Sequence, residues 1–264
     1  MSGALLSITG VTKRFGGVAA LDDVSFDVAH GEILGVIGPN GAGKTTLLDC
    51  VSGVQRVDAG SITFDGQPIS GWPPYRIARL GVGRTFQVVK PFTSMTVREN
   101  AAIGALFGTA RLPPARAFKE ADHVLEMVGM MAKADLPVGS LTIPDRKRLE
   151  VARALATQPR LLLLDEVMAG LNPVEIDEAL EMVRAVHRSG VTIVLIEHVM
   201  RVVVGVCRRV VVLHFGRTLA DGTTDLVLRD PRVIEAYLGE KYAERIQRAD
   251  GLSPDGGLGA ARDD

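Results

Sequence analysis

Short apolar runs rich in β-branched residues, separated by Gly, Asp and Asn, fill the first 65 positions of the chain. Residues 5–8, 24–28, 33–37 and 61–64 read as strands. Between positions 37 and 61 lies a glycine-rich turn, followed by a helical pattern over Lys44–Val51. A short helix is expected over 75–80, and then a strand ending at Phe86. From about 91 to 157 the periodicity becomes helical, over 97–106, 116–128 and 146–156, which predicts an inserted helical lobe. After Pro159 come three continuous apolar runs, 161–164, 191–196 and 210–213, the pattern of strands buried on both faces. Between the first two, Ile176, Ala179, Leu180, Val183 and Val186 fall on one helical face. Asn172, Pro173 and Glu175 precede them in the order of an N-cap, a first-turn proline and a capping-box acid. A last helix is expected over 230–237, and residues from about 249 read as a solvated tail. The expected organisation is an α/β core over 1–90 and 158–240, a helical subdomain over 91–157 and a tail over 241–264.

Composition narrows the class. Hydrophobic residues make up 47% and charged residues 23%, ordinary globular values that exclude a disordered chain. Lys and Arg number 30 against 31 Asp and Glu, so the basic excess of a protein held on phosphates is missing, and nucleic acid is not an expected partner. Cys50 and Cys207 stand far apart without a CxxC, which argues against a disulfide framework or a structural zinc. No apolar run approaches the roughly 20 residues of a membrane span, and the start lacks a signal-peptide pattern. The chain reads as soluble and cytosolic; a membrane span, if needed, must come from another subunit.

The run Gly38-Pro39-Asn40-Gly41-Ala42-Gly43-Lys44-Thr45-Thr46 fits G-x-x-x-x-G-K-[ST] between a predicted strand and a predicted helix, the P-loop order. Glycines allow backbone N–H groups to converge on a concavity, and the helix N-terminus adds its dipole. Lys44 is placed to neutralise phosphate charge and Thr45 to ligate Mg²⁺. The apolar run over 161–164 ends in Asp165-Glu166; an acidic residue there orders Mg²⁺, and the next can orient an attacking water. By residue type alone His198 and Gln87 are ordinary loop and strand-end residues. Phe15, in a turn before Gly16-Gly17, is either a base-stacking platform or a core plug, and residue type favours the core.

Taken together these residues make the chain similar to the ATP-binding subunits of ABC transporters over nearly its whole length, with the branched-chain amino-acid uptake type nearest in pattern. Besides the P-loop, the resemblance rests on Phe15 at the A-loop position, Arg84-Thr85-Phe86-Gln87 at the Q-loop and Asp165-Glu166 at Walker B. It continues with Ala169-Gly170-Leu171-Asn172-Pro173 at the D-loop and Ile196-Glu197-His198 at the switch histidine. The ending 230–239 is similar to both that uptake type and the lipopolysaccharide-export type. The resemblance implies a P-loop α/β core with an antiparallel β subdomain and an inserted helical subdomain. It implies ATP and Mg²⁺ as ligands, with Phe15 on adenine, Gln87 on Mg²⁺ and the membrane partner, His198 on the γ-phosphate and Glu166 polarising water. The implied partners are two transmembrane permease subunits, a second ATP-binding subunit packed head to tail, which the altered signature described next leads us to expect to be a different chain, and an external solute-binding protein. The implied location is peripheral, on the cytoplasmic face of the inner or plasma membrane. Alternatives are a lipid-export cassette and a non-transport or regulatory ABC protein.

One motif departs. Where the family has Leu-Ser-Gly-Gly-Gln, this chain has Leu141-Thr142-Ile143-Pro144-Asp145 before a basic helix. Thr142 keeps a hydroxyl, both glycines are gone, Pro144 has no N–H to donate, and Asp145 is expected to put a carboxylate near the partner's triphosphate. Pro144 read simply as a first-turn helix residue is the plain alternative.

Overall fold

The computed structural model describes residues 3–86 and 91–238; Gln87 and the predicted tail over 241–264 lie outside them. The chain runs β1 (Leu6–Phe15), β2 (Val18–Val28), β3 (Ile33–Ile37), α1 (Lys44–Val51), β4 (Ala59–Phe64), β5 (Gln67–Pro68), α2 (Pro74–Leu80) and β6 (Val82–Arg84). Three longer helices follow, α3 (Val97–Phe107), α4 (Pro114–Met127) and α5 (Ile143–Ala156). The remainder is β7 (Leu161–Asp165), α6 (Pro173–Arg188), β8 (Thr192–Ile196), α7 (Met200–Val206), β9 (Arg209–His214), β10 (Arg217–Thr223), α8 (Thr224–Val227) and α9 (Pro231–Leu238).

Two sheets result. One is antiparallel in the order β2-β1-β4-β5; the other has the order β10-β9-β3-β8-β7-β6, parallel from β9 to β6 with β10 antiparallel at its edge. The parallel strands show why the apolar runs were continuous. Ile33, Leu162, Leu164, Ile193, Leu195, Val210 and Val212 face one core shared with the helical lobe, α6 and α7. Their alternates Leu34, Val36, Leu161, Leu163, Val194, Ile196 and Val211 face a second core shared with α1 and the antiparallel sheet. Period-two alternation is present, but both faces are buried.

Several boundaries move. The β1–β2 hairpin extends beyond the predicted 5–8 and 24–28, because register shifts at Ile8/Val11 and Lys13/Arg14 break the apolar alternation that a sequence reading follows. Phe15 therefore ends a strand at the hairpin tip and is 47% exposed; the core-plug reading is incorrect. The strand expected to end at Phe86 ends at Arg84. The helix expected from Arg146 starts at Ile143, because Thr142 caps it, and Pro144 falls at its second position. The polar strands β5 and β10 and the short helices α7 and α8 carry too little periodicity to be read from sequence. The predicted capping box before α6 is present: Asn172 Oδ1 accepts from the N–H of Val174 and Glu175, and Glu175 Oε2 accepts from the Asn172 N–H. Both cysteines are free and buried.

Candidate functional site

Open parallel sheets bind ligands at the carboxyl ends of their strands, and here four strand ends carry the predicted chemistry. The loop 38–43 follows β3, His198 lies two residues beyond β8, Asp165-Glu166 closes β7, and Thr85-Phe86 follows β6. Register sets them level: Val36 and Asp165 both pair with Ile196, and Arg84 with Leu163.

The loop requires glycine at two points. Gly38 (φ 151°) and Gly43 (φ 101°) have left-handed backbones. A Cβ on Gly38 would lie 2.1 Å from the Leu213 carbonyl oxygen, and one on Gly43 2.3 Å from that of Ala20. No side chain caps α1, so its first-turn N–H groups point along the dipole into the loop, the arrangement that binds an anion. Asn40, Gly41 and Thr45 are exposed, Gly43 and Thr46 half-buried, and Ala42 buried. Lys44 is 7% exposed, and its Nζ donates to the carbonyls of Gly38 (2.7 Å) and Pro39 (3.0 Å). Burial lowers its pKa, and the carboxylates of Glu166 and Asp165 act the other way, so the three groups sense one another's charge.

Asp165 is 1% exposed. Its Oδ2 meets Arg84 Nη2 at 3.3 Å, and its N–H donates to Thr85 Oγ1 at 3.1 Å. Burial raises this carboxyl, with Arg84 opposing. Oδ1 is buried with no hydrogen-bond partner among the described residues, an acceptor left open. Arg84 also donates through Nη1 to Asp49 Oδ1 (2.6 Å) and Ser52 Oγ (2.8 Å) on and beside α1. It ties the β6 end, the β7 end and the loop helix together, a role that the sequence reading did not assign; the available signal was an arginine in a buried strand.

Glu166 has φ +50°, a conformation costly for a residue with a Cβ and concentrated at functional sites. Its N–H donates to the Ile196 carbonyl (3.0 Å), and its Oε1 lies 3.9 Å from His198 Nδ1. Phe15 stands exposed at its hairpin tip with Lys13 Nζ 5.3 Å from the ring centroid. Gln87 is outside the described residues.

The region 141–145 differs from expectation. Leu141 is buried and Ile143 exposed. Asp145 turns inward, 8% exposed: Lys133 Nζ meets its two carboxylate oxygens at 2.6 and 2.7 Å, and Thr142 Oγ1 donates to Oδ2 at 2.8 Å. Although burial acts to raise this carboxyl, those hydrogen bonds outweigh it and hold the group below the usual carboxylate range. The carboxylate expected near the partner's triphosphate is thus an ion-paired group in the first turn of α5, because a lysine twelve positions upstream reaches it.

A cleft of about 450 Å³ opens between α2, the β6 end and the helical lobe. Tyr75, Phe86 and Phe107 are exposed on its walls, with Arg84 and Glu150 deeper in. Among the described residues, no helix is long and apolar enough to cross a membrane.

Comparison with known proteins agrees with this geometry. The family model described as ABC transporter matches residues 21–169, and that described as branched-chain amino acid ATP-binding cassette transporter matches 217–243. The chain is 41% identical over 256 residues to the high-affinity branched-chain amino acid transport ATP-binding protein LivG of Salmonella typhimurium, covering 91% of this chain and 100% of the relative. It is 40% identical over 254 residues to the corresponding protein BraF of Pseudomonas aeruginosa, with the same two coverages. A nucleotide-free ATP-binding cassette from an ABC transporter superposes with a TM-score of 0.81 at 30% identity, covering 90% of this chain and 100% of that one. The ADP conformation of such a cassette gives a TM-score of 0.80 at the same identity and coverage.

Proposed function

The chain belongs to the ABC transporter family, and from that premise we propose that it binds and hydrolyses MgATP to power uptake of branched-chain amino acids or related small solutes. The observation carrying this reading is the convergence, at one end of the parallel sheet, of the glycine loop, the buried Asp165 with its open Oδ1, and the Glu166–His198 pair. The match over 217–243 favours the uptake type over lipid export.

The loop N–H groups and Lys44 take up the charge of the phosphates, and Phe15 offers its exposed ring to adenine. Thr45, Asp165 and Gln87 would hold Mg²⁺. The donor set fits: a hydroxyl and an open carboxylate oxygen, with no cluster of three His, Cys, Asp or Glu among the described residues, suits a hard cation that arrives largely on its phosphate. When bound, that ion would supply positive charge against that of the phosphates. Glu166 accepts a proton from water as its oxygen attacks the γ-phosphorus and the bond to ADP breaks. His198 steadies the γ-phosphate. Because phosphoryl transfer depends on positioning and charge, Lys44→Ala is expected to weaken affinity for ADP at least tenfold, since a charge-assisted hydrogen bond contributes roughly 1.5–3 kcal/mol. Titration calorimetry on the full chain checks this; unchanged affinity would remove the loop from the site.

The partners follow from the same reading: two permease subunits, one of which contacts this chain at the cleft walled by Tyr75, Phe86 and Phe107, an external solute-binding protein, and a second cassette facing this one head to tail. Within that complex this chain is peripheral, on the cytoplasmic face of the membrane. In that pairing Leu141, Thr142, Ile143, Pro144 and Asp145 face the partner's ATP. Pro144 has no N–H, the Thr142 hydroxyl is engaged with Asp145, and Asp145 is engaged with Lys133. Few donors are left for a phosphate, so the second cassette is a different chain and the two sites hydrolyse unequally. Replacing the Walker B glutamate of each cassette in turn, in the assembled transporter, should cost far more turnover for Glu166 than for its counterpart. Equal losses would count against asymmetry.

A further inference from the structure

Glu197 is the most deeply buried acid among the described residues, 0% exposed, yet it stands directly before His198 at the end of β8. Its Oε1 accepts the Met168 N–H at 2.8 Å. Its Oε2 is buried with no hydrogen-bond partner among the described residues. A buried carboxyl with one acceptor unused is expensive; a Leu would fill such a space at lower cost, so packing alone does not account for it.

What the carboxyl holds is informative. Met168 lies two residues after Glu166, in the turn that carries Glu166 from β7 toward α6. Within that turn the Ala169 N–H donates to the Glu166 carbonyl at 3.3 Å, and the Glu166 N–H donates to Ile196, the residue before Glu197. From the other side Lys147 on α5 extends Nζ to the Ala169 carbonyl (2.5 Å) and lies 3.5 Å from that of Glu166. The turn that bears the strained Glu166 is thus fixed at three points: by the Ile196 carbonyl at Glu166, the Glu197 carboxyl at Met168 and the Lys147 ammonium at the Ala169 carbonyl. Two of them belong to the segment that bears His198, whose imidazole lies 3.9 Å from the Glu166 carboxylate.

We propose that Glu197 is a positioning residue for hydrolysis: by accepting the Met168 N–H it locks the turn bearing Glu166 onto the segment bearing His198, and Lys147 closes the same clamp from the helical lobe. This rests on the reading of Glu166 as the residue that accepts the water's proton. Loosening the clamp displaces Glu166 from the attacking water without touching the phosphate loop, so turnover falls while nucleotide affinity holds. Misplacement by an ångström is enough for a large loss.

The test uses the full chain assembled with its permease and cassette partners, with MgATP as probe. Wild type, Glu166→Gln, Glu197→Gln, Glu197→Leu and Lys147→Met are compared for kcat and KM, counted above the Glu166→Gln baseline. Glu197→Leu removes the acceptor and is expected to lower kcat about tenfold or more with KM within twofold. Glu197→Gln keeps an acceptor oxygen and is expected to retain at least half of wild-type kcat. Lys147→Met is expected to lower kcat about threefold at unchanged KM. Wild-type kcat in Glu197→Leu, a parallel change in KM, or equal damage from Gln and Leu would each overturn the clamp. If Glu197→Leu does not fold, Lys147→Met decides, its wild-type kcat overturning the proposal and its reduced kcat at unchanged KM supporting it. Failure of the underlying reading looks different: either the wild-type complex leaves MgATP intact or Glu166→Gln turns over normally, and both would take this inference down with it.

Discussion

Glu166→Gln is expected to leave MgATP binding intact while lowering turnover by about a thousandfold, within the range of roughly 10² to 10⁴ that a positioned general base contributes. The amide keeps the shape and hydrogen-bonding reach of the carboxylate but cannot accept a proton from water. The backbone of residue 166 is fixed by the Ile196 carbonyl, which the substitution does not touch, so a change in fold is not the cause of the loss. Binding is expected to persist because the phosphates rest on the loop amides and Lys44, and Lys44 is held in place by the carbonyls of Gly38 and Pro39, which the substitution does not alter. Equilibrium nucleotide binding and steady-state phosphate release on the same assembled preparation check both halves. Turnover within a few-fold of wild type would transfer the proton-accepting role elsewhere.

Arg84→Met is expected to destabilise the folded chain by about 3 kcal/mol or more, the usual consequence of removing one partner from a buried ion pair. For a chain of this size that corresponds to a fall in Tm of roughly 6 to 12 °C. The arginine side chain is 6% exposed, and its two terminal nitrogens serve two carboxylates, Asp49 and Asp165. The methionine fills comparable space but leaves the Asp165 charge buried without its cation. Lysine would not rescue the fold fully, because one ammonium lacks the fork that spans both acids. Thermal unfolding of wild type, Arg84→Met, Asp165→Asn and the double variant makes the measurement a cycle. If the single arginine variant loses less than about 1 kcal/mol, the pair carries no structural weight, since surface pairs contribute about that much.

Sequence legibility followed how far apart the interacting groups lie along the chain. The glycine loop and Asp165-Glu166 were legible because their chemistry sits in consecutive residues flanked by apolar runs. The buried strands were legible because two covered faces leave no polar interruptions. Arg84 was opaque because its acids lie 35 positions before it and 81 after it. The turned-in Asp145 was opaque because its lysine comes from a short helical turn that no periodicity announces. Glu197 received no role of its own beside the histidine, because the group it holds is a main-chain N–H 29 residues away. Residue type alone misplaced Phe15 for a different reason: it argues for burial, whereas the hairpin carries the ring past the edge of the core, as the A-loop resemblance implied.

The central strand β3 has consequences for how the protein comes to exist. Its two neighbours are β8 and β9, and just ahead of it the Gly31 N–H reaches Thr192 Oγ1, 161 positions later. A nascent chain that has left the ribosome only as far as α6 therefore holds the phosphate loop on a strand with both edges bare. Pairing over such separations is slow, and unpaired edges are sticky. The pocket for nucleotide is accordingly a late product of biosynthesis, and an excised amino-terminal half, although it contains every residue of the glycine loop, has no scaffold on which to hold it open.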